Sequence, residues 1–272
     1  MARSCDEMVK RSGLRWMAAA ALGVSIGAVA LVALPRTAAV AHEGGESDEQ
    51  KVGIRVTETW MIRHGGRIYA GWADELDHEA PTTTHPAYPA VGKKKGAETW
   101  RCKECHGWDY RGVNGAYGSG SHYTGIKGID GMRGADPEKV MAVIRDKTHR
   151  YSEDMIPDKD LEALALFVSW GQVQMDRLID PKTKRAYGDV RHGAEIFQTT
   201  CAVCHGLNGT LINFADKEGE VEYIGTVANA NPWETLHNIR FGHAGDAMIG
   251  LIAFPVQDQV DALSYAQTLP VK

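Results

Sequence analysis

The sequence is short of cysteine, of positive charge and of long apolar runs. Lysine and arginine total 30 against 35 acidic residues, a formal net charge of −5 over 272 residues. That balance argues against a general nucleic-acid binder, which needs a basic face. Apolar residues make up 43% and charged residues 24%. These values sit near the globular average and rule out collagen, wholesale disorder and a polytopic membrane protein. The length allows one large domain or two small ones. There is no G-x-x-x-x-G-K-[ST], so the glycine-rich run from Gly112 to Gly134 is not a phosphate loop. There is no adjacent Arg-Arg pair, which removes support for a twin-arginine export route and leaves Sec export.

The one long apolar run, Trp16 to Leu34, is near the start. Arg3, Lys10, Arg11 and Arg15 precede it, Pro35 ends it, and Ala39-Val40-Ala41 offers a small-x-small cleavage site. Residues 1–41 are therefore expected to be a signal peptide or, if retained, an N-terminal membrane anchor. Without that leader the chain is more acidic still, which suits a basic partner or simple solubility.

Of the five cysteines, Cys5 lies in the leader. The other four stand in two copies of one pentad, Cys102-Lys103-Glu104-Cys105-His106 and Cys201-Ala202-Val203-Cys204-His205. C-x-x-C-H is the attachment pattern for haem c. Two thiols at this spacing reach the two vinyl groups of one haem, and the next histidine points at the iron. The competing readings are two short disulfides or a four-cysteine zinc site, neither of which requires a histidine after each second cysteine.

The surroundings repeat as well. Gly96-Ala97-Glu98 and Gly193-Ala194-Glu195 precede the pentads, and Gly107 and Gly206 follow them. Asp136-Pro137 and Asn231-Pro232 open helical stretches, as an N-cap followed by proline does. Met155-Ile156 and Met248-Ile249 come next. Closing amphipathic helices carry Leu161, Leu164, Leu166, Phe167 and Trp170 in one half and Val260, Leu263, Tyr265 and Leu269 in the other. This order resembles the class I cytochrome c domain in tandem. The resemblance implies an all-α fold of two such domains, each wrapping one covalently bound haem, with His106 and Met155, and His205 and Met248, as axial metal ligands.

The expected organisation is a leader at 1–41 and a flexible tether with N-terminal extension at 42–63. Domain 1 follows at 64–175, with an insertion at about 77–95, then a linker at 176–187 and domain 2 at 188–272. His64 to Trp72 reads as the opening helix of domain 1. Lys93, Lys94 and Lys95 read as a docking patch or a solvated loop. Thioether ligation favours ferrous iron and a high potential. His149 and His243, just before the two methionines, and Met132 between Gly131 and Gly134 are rival ligands. Tyr117, His122 and Tyr123 read as propionate contacts or surface residues, and Trp108 as haem packing or core.

Two closed, six-coordinate irons would move electrons without binding substrate. The expected function is a periplasmic carrier, or one anchored to the outer face of the inner membrane, with no catalytic residues of its own. It would pass single electrons between redox partner proteins, from a respiratory or dehydrogenase donor to a terminal acceptor. The alternatives are a di-haem oxidoreductase acting on a sulfur oxyanion or peroxide, and a fixed cytochrome subunit of a membrane complex. A distal cysteine ligand is excluded outside the leader, because only the pentad cysteines remain there.

Overall fold

A computed structural model describes residues 56–215 and 219–272. The leader and most of the tether lie outside the described residues. Those residues form an all-α structure with no β-strand, only the isolated bridges Gly112↔Lys127 and Ile179↔Ala186. None of their helices is long and apolar enough to cross a membrane. The helices are α1 (Val56–Leu76), α2 (Cys102–His106), α3 (Pro137–Ile144), α4 (Asp158–Leu166), α5 (Val190–Ile196), α6 (Ala202–His205), α7 (Ile224–Ala230), α8 (Pro232–Phe241) and α9 (Val256–Ala266).

The two halves are built alike. The largest helix contact in the first is α1 on α4, and in the second α5 on α9. Each crossing is made close by one glycine. A Cβ on Gly65 would lie 2.0 Å from the Ala163 carbonyl oxygen, and one on Gly193 would lie 1.9 Å from that of Asp261. The structural counterpart of Gly193 is thus Gly65, not Gly96. Gly96 instead opens a short 3-10 turn, Gly96–Trp100, at φ +59°. The matching Gly-Ala-Glu triplets in the sequence do different jobs.

Several boundaries follow from local chemistry. Helix α3 starts at Pro137 with Asp136 as its N-cap, whose carboxylate accepts the Glu138 N–H at 3.1 Å. Helix α8 starts at Pro232. Helix α1 begins at Val56, ahead of His64, and is broken by non-helical backbone at Gly71. It ends where Asp77 turns left-handed and the His78 N–H reaches back to the Ala73 carbonyl. The closing helices bury Leu161, Leu164, Phe167, Val260 and Leu263, whereas Trp170 is 52% exposed.

One buried cluster runs through both halves. Helix α1 is the hinge-pin of this arrangement, because its two adjacent glycines face different partners. Gly65 meets α4, while Gly66 lies under the Phe241 ring of α8. The Gly66 carbonyl accepts the His237 Nε2–H at 2.8 Å, and His237 Nδ1 accepts the Tyr110 hydroxyl at 2.8 Å. His237 is fully buried among Trp108, Tyr69, Phe167 and Phe241. Burial lowers its pKa to about 3, so it is neutral.

The segment 77–95 is a packed strap, not a loose loop. His85 and Tyr88 are buried in it, the Thr83 carbonyl accepts from Trp100 Nε1, and the His85 N–H donates to Thr99 Oγ1. Of the three lysines that follow, Lys93 and Lys95 are exposed and Lys94 pairs with Glu98 at 3.2 Å. The segment 176–187 is pinned to the second half, where Gln267 Nε2 donates to the Lys184 carbonyl at 2.7 Å.

Candidate cofactor attachment sites

The two pentads adopt one local geometry. In each, a single helical turn ends at the glycine after the histidine, and that glycine takes a backbone open to few other residues. Gly107 has φ 81° and ψ 156°, and Gly206 has φ 76° and ψ 157°. The Gly107 N–H caps the Lys103 carbonyl at 3.0 Å, and the Gly206 N–H caps that of Ala202 at 2.9 Å. The chain then doubles back, so that the histidine carbonyl accepts an N–H from Gly112 in one half and from Leu211 in the other.

His106 is held in one tautomer. Its Nδ1 is 2.8 Å from the Lys127 carbonyl oxygen, which can only accept, so Nδ1 carries the proton and Nε2 keeps its lone pair. Two glycines make this contact reachable. Gly112 (φ +53°) forms the bridge with Lys127, and a Cβ on Gly128 would lie 2.0 Å from the Tyr110 carbonyl. Burial lowers the His106 pKa to about 4, which keeps the ring neutral and able to donate its lone pair. His205 is buried, its pKa is also lowered by burial, and its Nδ1 has no partner among the described residues.

The thiols form no disulfide among the described residues. Burial pushes Cys102 and Cys105 up to about 12 and Cys201 up to about 11. Such thiols are not prepared thiolate nucleophiles. Nor do the two pairs converge. The one grouping of three potential metal-ligating side chains among the described residues is His192, Asp258 and Asp261, which contains no cysteine.

The residues around the first pentad suit a large, partly charged organic group. Trp108 Nε1 and the Tyr117 hydroxyl are buried donors without a protein partner among the described residues. Tyr117 stacks on His122, with ring centroids 4.8 Å apart. Glu104 is buried, and burial alone would raise its pKa. His122, Lys103 at 2.7 Å and Arg101 reverse this and bring it to about 2. The second pentad carries no such charges, and Val203 at the equivalent position is 79% exposed.

The methionines occupy different settings. Met155 is half-buried and packs against the core, and its carbonyl accepts from His78 Nδ1 at 3.0 Å. Met132 and Met141 are also half-buried against the core. Met248 lies half-buried on the loop after α8, and that loop is gripped from the first half. Arg63 Nη2 donates to the Met248 carbonyl at 3.1 Å, Arg67 Nη2 donates to the Asp246 carbonyl at 2.9 Å, and the Gly245 N–H donates to Glu75 Oε2 at 3.1 Å. His243 is half-exposed and paired with Asp246 at 2.8 Å.

Sequence reasoning missed this grip, the Lys127 carbonyl and His237. A backbone carbonyl leaves no trace in residue identity, and the others become neighbours only through the packing of α1 on α8. Compared with known proteins, the chain matches no protein-family model and no curated protein.

Proposed function

We propose that this chain holds two covalently attached haem groups, one in each half, and carries single electrons between redox partner proteins. The observation that carries the reading is the duplicated turn. Two C-x-x-C-H-G segments share one backbone geometry, and the first holds its histidine neutral with Nε2 left to ligate. Cys102 and Cys105 would form the thioethers of the first haem, and Cys201 and Cys204 those of the second. His106 and His205 would ligate the irons. When bound, each group supplies one reversible electron at iron and the protein sets its potential.

The remaining residues orient and exclude water. The Lys127 carbonyl fixes the His106 ring and increases its basicity. Trp108 and Tyr117 offer buried donors to the acidic edge of the group. Arg63, Arg67 and Glu75 hold the loop that presents Met248. Covalent attachment retains a cofactor outside the cytoplasm, which agrees with the leader pattern at 1–41 and with a periplasmic or membrane-anchored location.

The test is production of the full chain with a haem c maturation system, followed by intact mass and absorption spectroscopy. The wild type is expected to carry two haems. The double variant C102A/C105A is expected to lose one and C201A/C204A the other. A chain that matures without added haem mass would overturn the proposal. Carbon monoxide binding to the reduced wild type would move the reading from carrier to enzyme.

A further inference from the structure

Resting on the haem reading above, we infer that the sixth ligand of the first haem is His149 and not Met155, so that the two halves hold differently ligated irons. The ring centroids of His106 and His149 are 6.2 Å apart, with planes inclined by 26°. Two imidazoles on opposite sides of one metal ion, each at a nitrogen–metal distance of about 2.0–2.1 Å, place their centroids roughly 6.3 Å apart. The gap between these rings therefore matches a single metal.

Both rings are also tied back through Nδ1. His106 donates Nδ1–H to the Lys127 carbonyl. His149 turns its Nδ1 toward Asp146 Oδ1 at 3.2 Å, and the same oxygen accepts the backbone N–H groups of Thr148 and His149 at 2.7 and 2.8 Å. Each imidazole thus has one nitrogen tied back to the protein and Nε2 free, the arrangement that fixes metal-binding histidines. The backbone supports it from two sides. The His149 carbonyl accepts from His85 Nε2 at 2.8 Å, and His85 is clamped against Trp100 with centroids 4.3 Å apart. The next residue, Arg150, is one of four non-glycine residues with positive φ among the described residues, at +60°. Strain of this kind persists where the surroundings enforce one side-chain direction. The strap 77–95, which has no counterpart in the second half, supplies His85 and so the lock on this turn.

Among the described residues the second half has no such facing ring. The aromatic neighbours of His205 are Phe197 and Phe214, at 6.4 and 6.1 Å. His243 is half-exposed and held by Asp246. Met248, the ligand expected from the sequence, would serve there. Imidazole in place of thioether lowers the potential, so the first haem would be the stronger reductant and electrons would run from the first half to the second.

The experiment uses the full holo-protein. Intact mass first counts the haems. No added haem would refute the underlying reading, and this inference with it, and is told apart from every ligand outcome. With two haems present, the wild type should show the far-red methionine–iron charge-transfer band at the amplitude of one site and two separated midpoints. Met155→Leu should change neither. His149→Ala should open one iron to carbon monoxide, and His149→Met should raise the lower midpoint and add a second methionine band, an outcome that a merely structural histidine would not give. The inference is overturned if Met155→Leu removes part of the band or opens an iron, or if His149→Ala leaves the spectrum and both midpoints unchanged.

Discussion

Replacing Glu75 by glutamine should loosen the seam between the halves and the Met248 loop together. Glu75 and Arg67 side chains are each only 8% exposed and pair at 2.7 Å. The two carboxylate oxygens accept from three donors: Arg67 Nε, His64 Nδ1 at 2.9 Å and the Gly245 N–H at 3.1 Å. His64 also donates Nε2–H to Asp160 at 2.9 Å, so the chain of bonds runs from α4 through α1 to the Met248 loop. Glutamine keeps the shape but turns one acceptor into a donor, which either faces Arg67 Nε and the Gly245 N–H or requires His64 to give up its Nδ1 proton. It also leaves Arg67 without its counter-charge. Removing one partner of a buried pair costs about 3–5 kcal/mol, and the retained shape favours the lower end, about 3 kcal/mol. For a chain of this size that lowers Tm by about 6–12 °C. Calorimetry measures it; under the haem reading a methionine–iron band would follow the loop and should be lost at lower temperature than in the wild type. A variant with unchanged Tm and an unchanged band would refute the claim that this network holds the loop.

The same cluster gives a pH dependence with two limbs. Burial opposes the charge on Glu75, but His64, the Gly245 N–H and Arg67 outweigh it and hold its pKa below the usual value. Its contribution is therefore present above the unfolded pKa of about 4.3 and is lost as pH falls through the lower folded value. Burial likewise opposes charge on His64, but Glu75 and Asp160 outweigh it and raise its pKa. Its contribution is complete below the unfolded pKa of about 6.5 and is lost as pH rises through the higher folded value. Wild-type stability from this cluster should thus be greatest between about pH 4.3 and 6.5, with both limbs reduced in Glu75→Gln when Tm is followed against pH.

Gly65→Ala and Gly193→Ala should each destabilise by about 2 kcal/mol, since overpacking of up to about 3 kcal/mol is offset by about 1 kcal/mol of helix propensity. Gly131→Ala, where a Cβ meets nothing within 4 Å, should leave the urea midpoint unchanged. Tyr110→Phe leaves His237 Nδ1 buried without its donor and should cost about 1–3 kcal/mol in the same urea titration. Arg145 donates to the Tyr151 and Ile156 carbonyls at 2.9 and 2.7 Å. Arg145→Ala should therefore increase amide hydrogen exchange across residues 149–158 before it changes global stability.

What could be read from residue identity was local. The pentads, the proline-initiated starts of α3 and α8 and the buried faces of the closing helices each depend on a few consecutive residues, and each stands in the structure where those residues put it. The early start of α1 was hidden because the residues before His64 include an exposed Trp60 beside a buried Ile62, a weak periodic signal. The strap 77–95 read as an insertion because Pro, Thr and His suggest a loop. Its burial depends on Trp100, which it reaches only after folding. The choice between His149 and Met155 was beyond sequence for a similar reason. Both lie on one loop at plausible spacing, and the inference for His149 draws on the position of the rings. The Gly96 and Gly193 triplets show the reverse hazard, where identical residues serve unlike contacts.

The seam itself bears on how electrons would pass. Tandem domains joined by a linker are expected to move relative to one another unless their interface is extensive and apolar. Here the buried cluster is continuous, Gly66 lies against the Phe241 ring, and a neutral histidine of the second half is bonded twice to the first. Arg240 of α8 adds a donor to the Gly171 carbonyl of the first half at 3.3 Å. Sliding α1 along α8 would strand these buried groups, each at about 1–3 kcal/mol. The two attachment turns are therefore held at a fixed separation. Under the haem reading, the direction of transfer must then come from a difference in potential and not from domain motion. Unequal axial ligands would supply that difference in a chain whose two attachment turns are otherwise nearly the same.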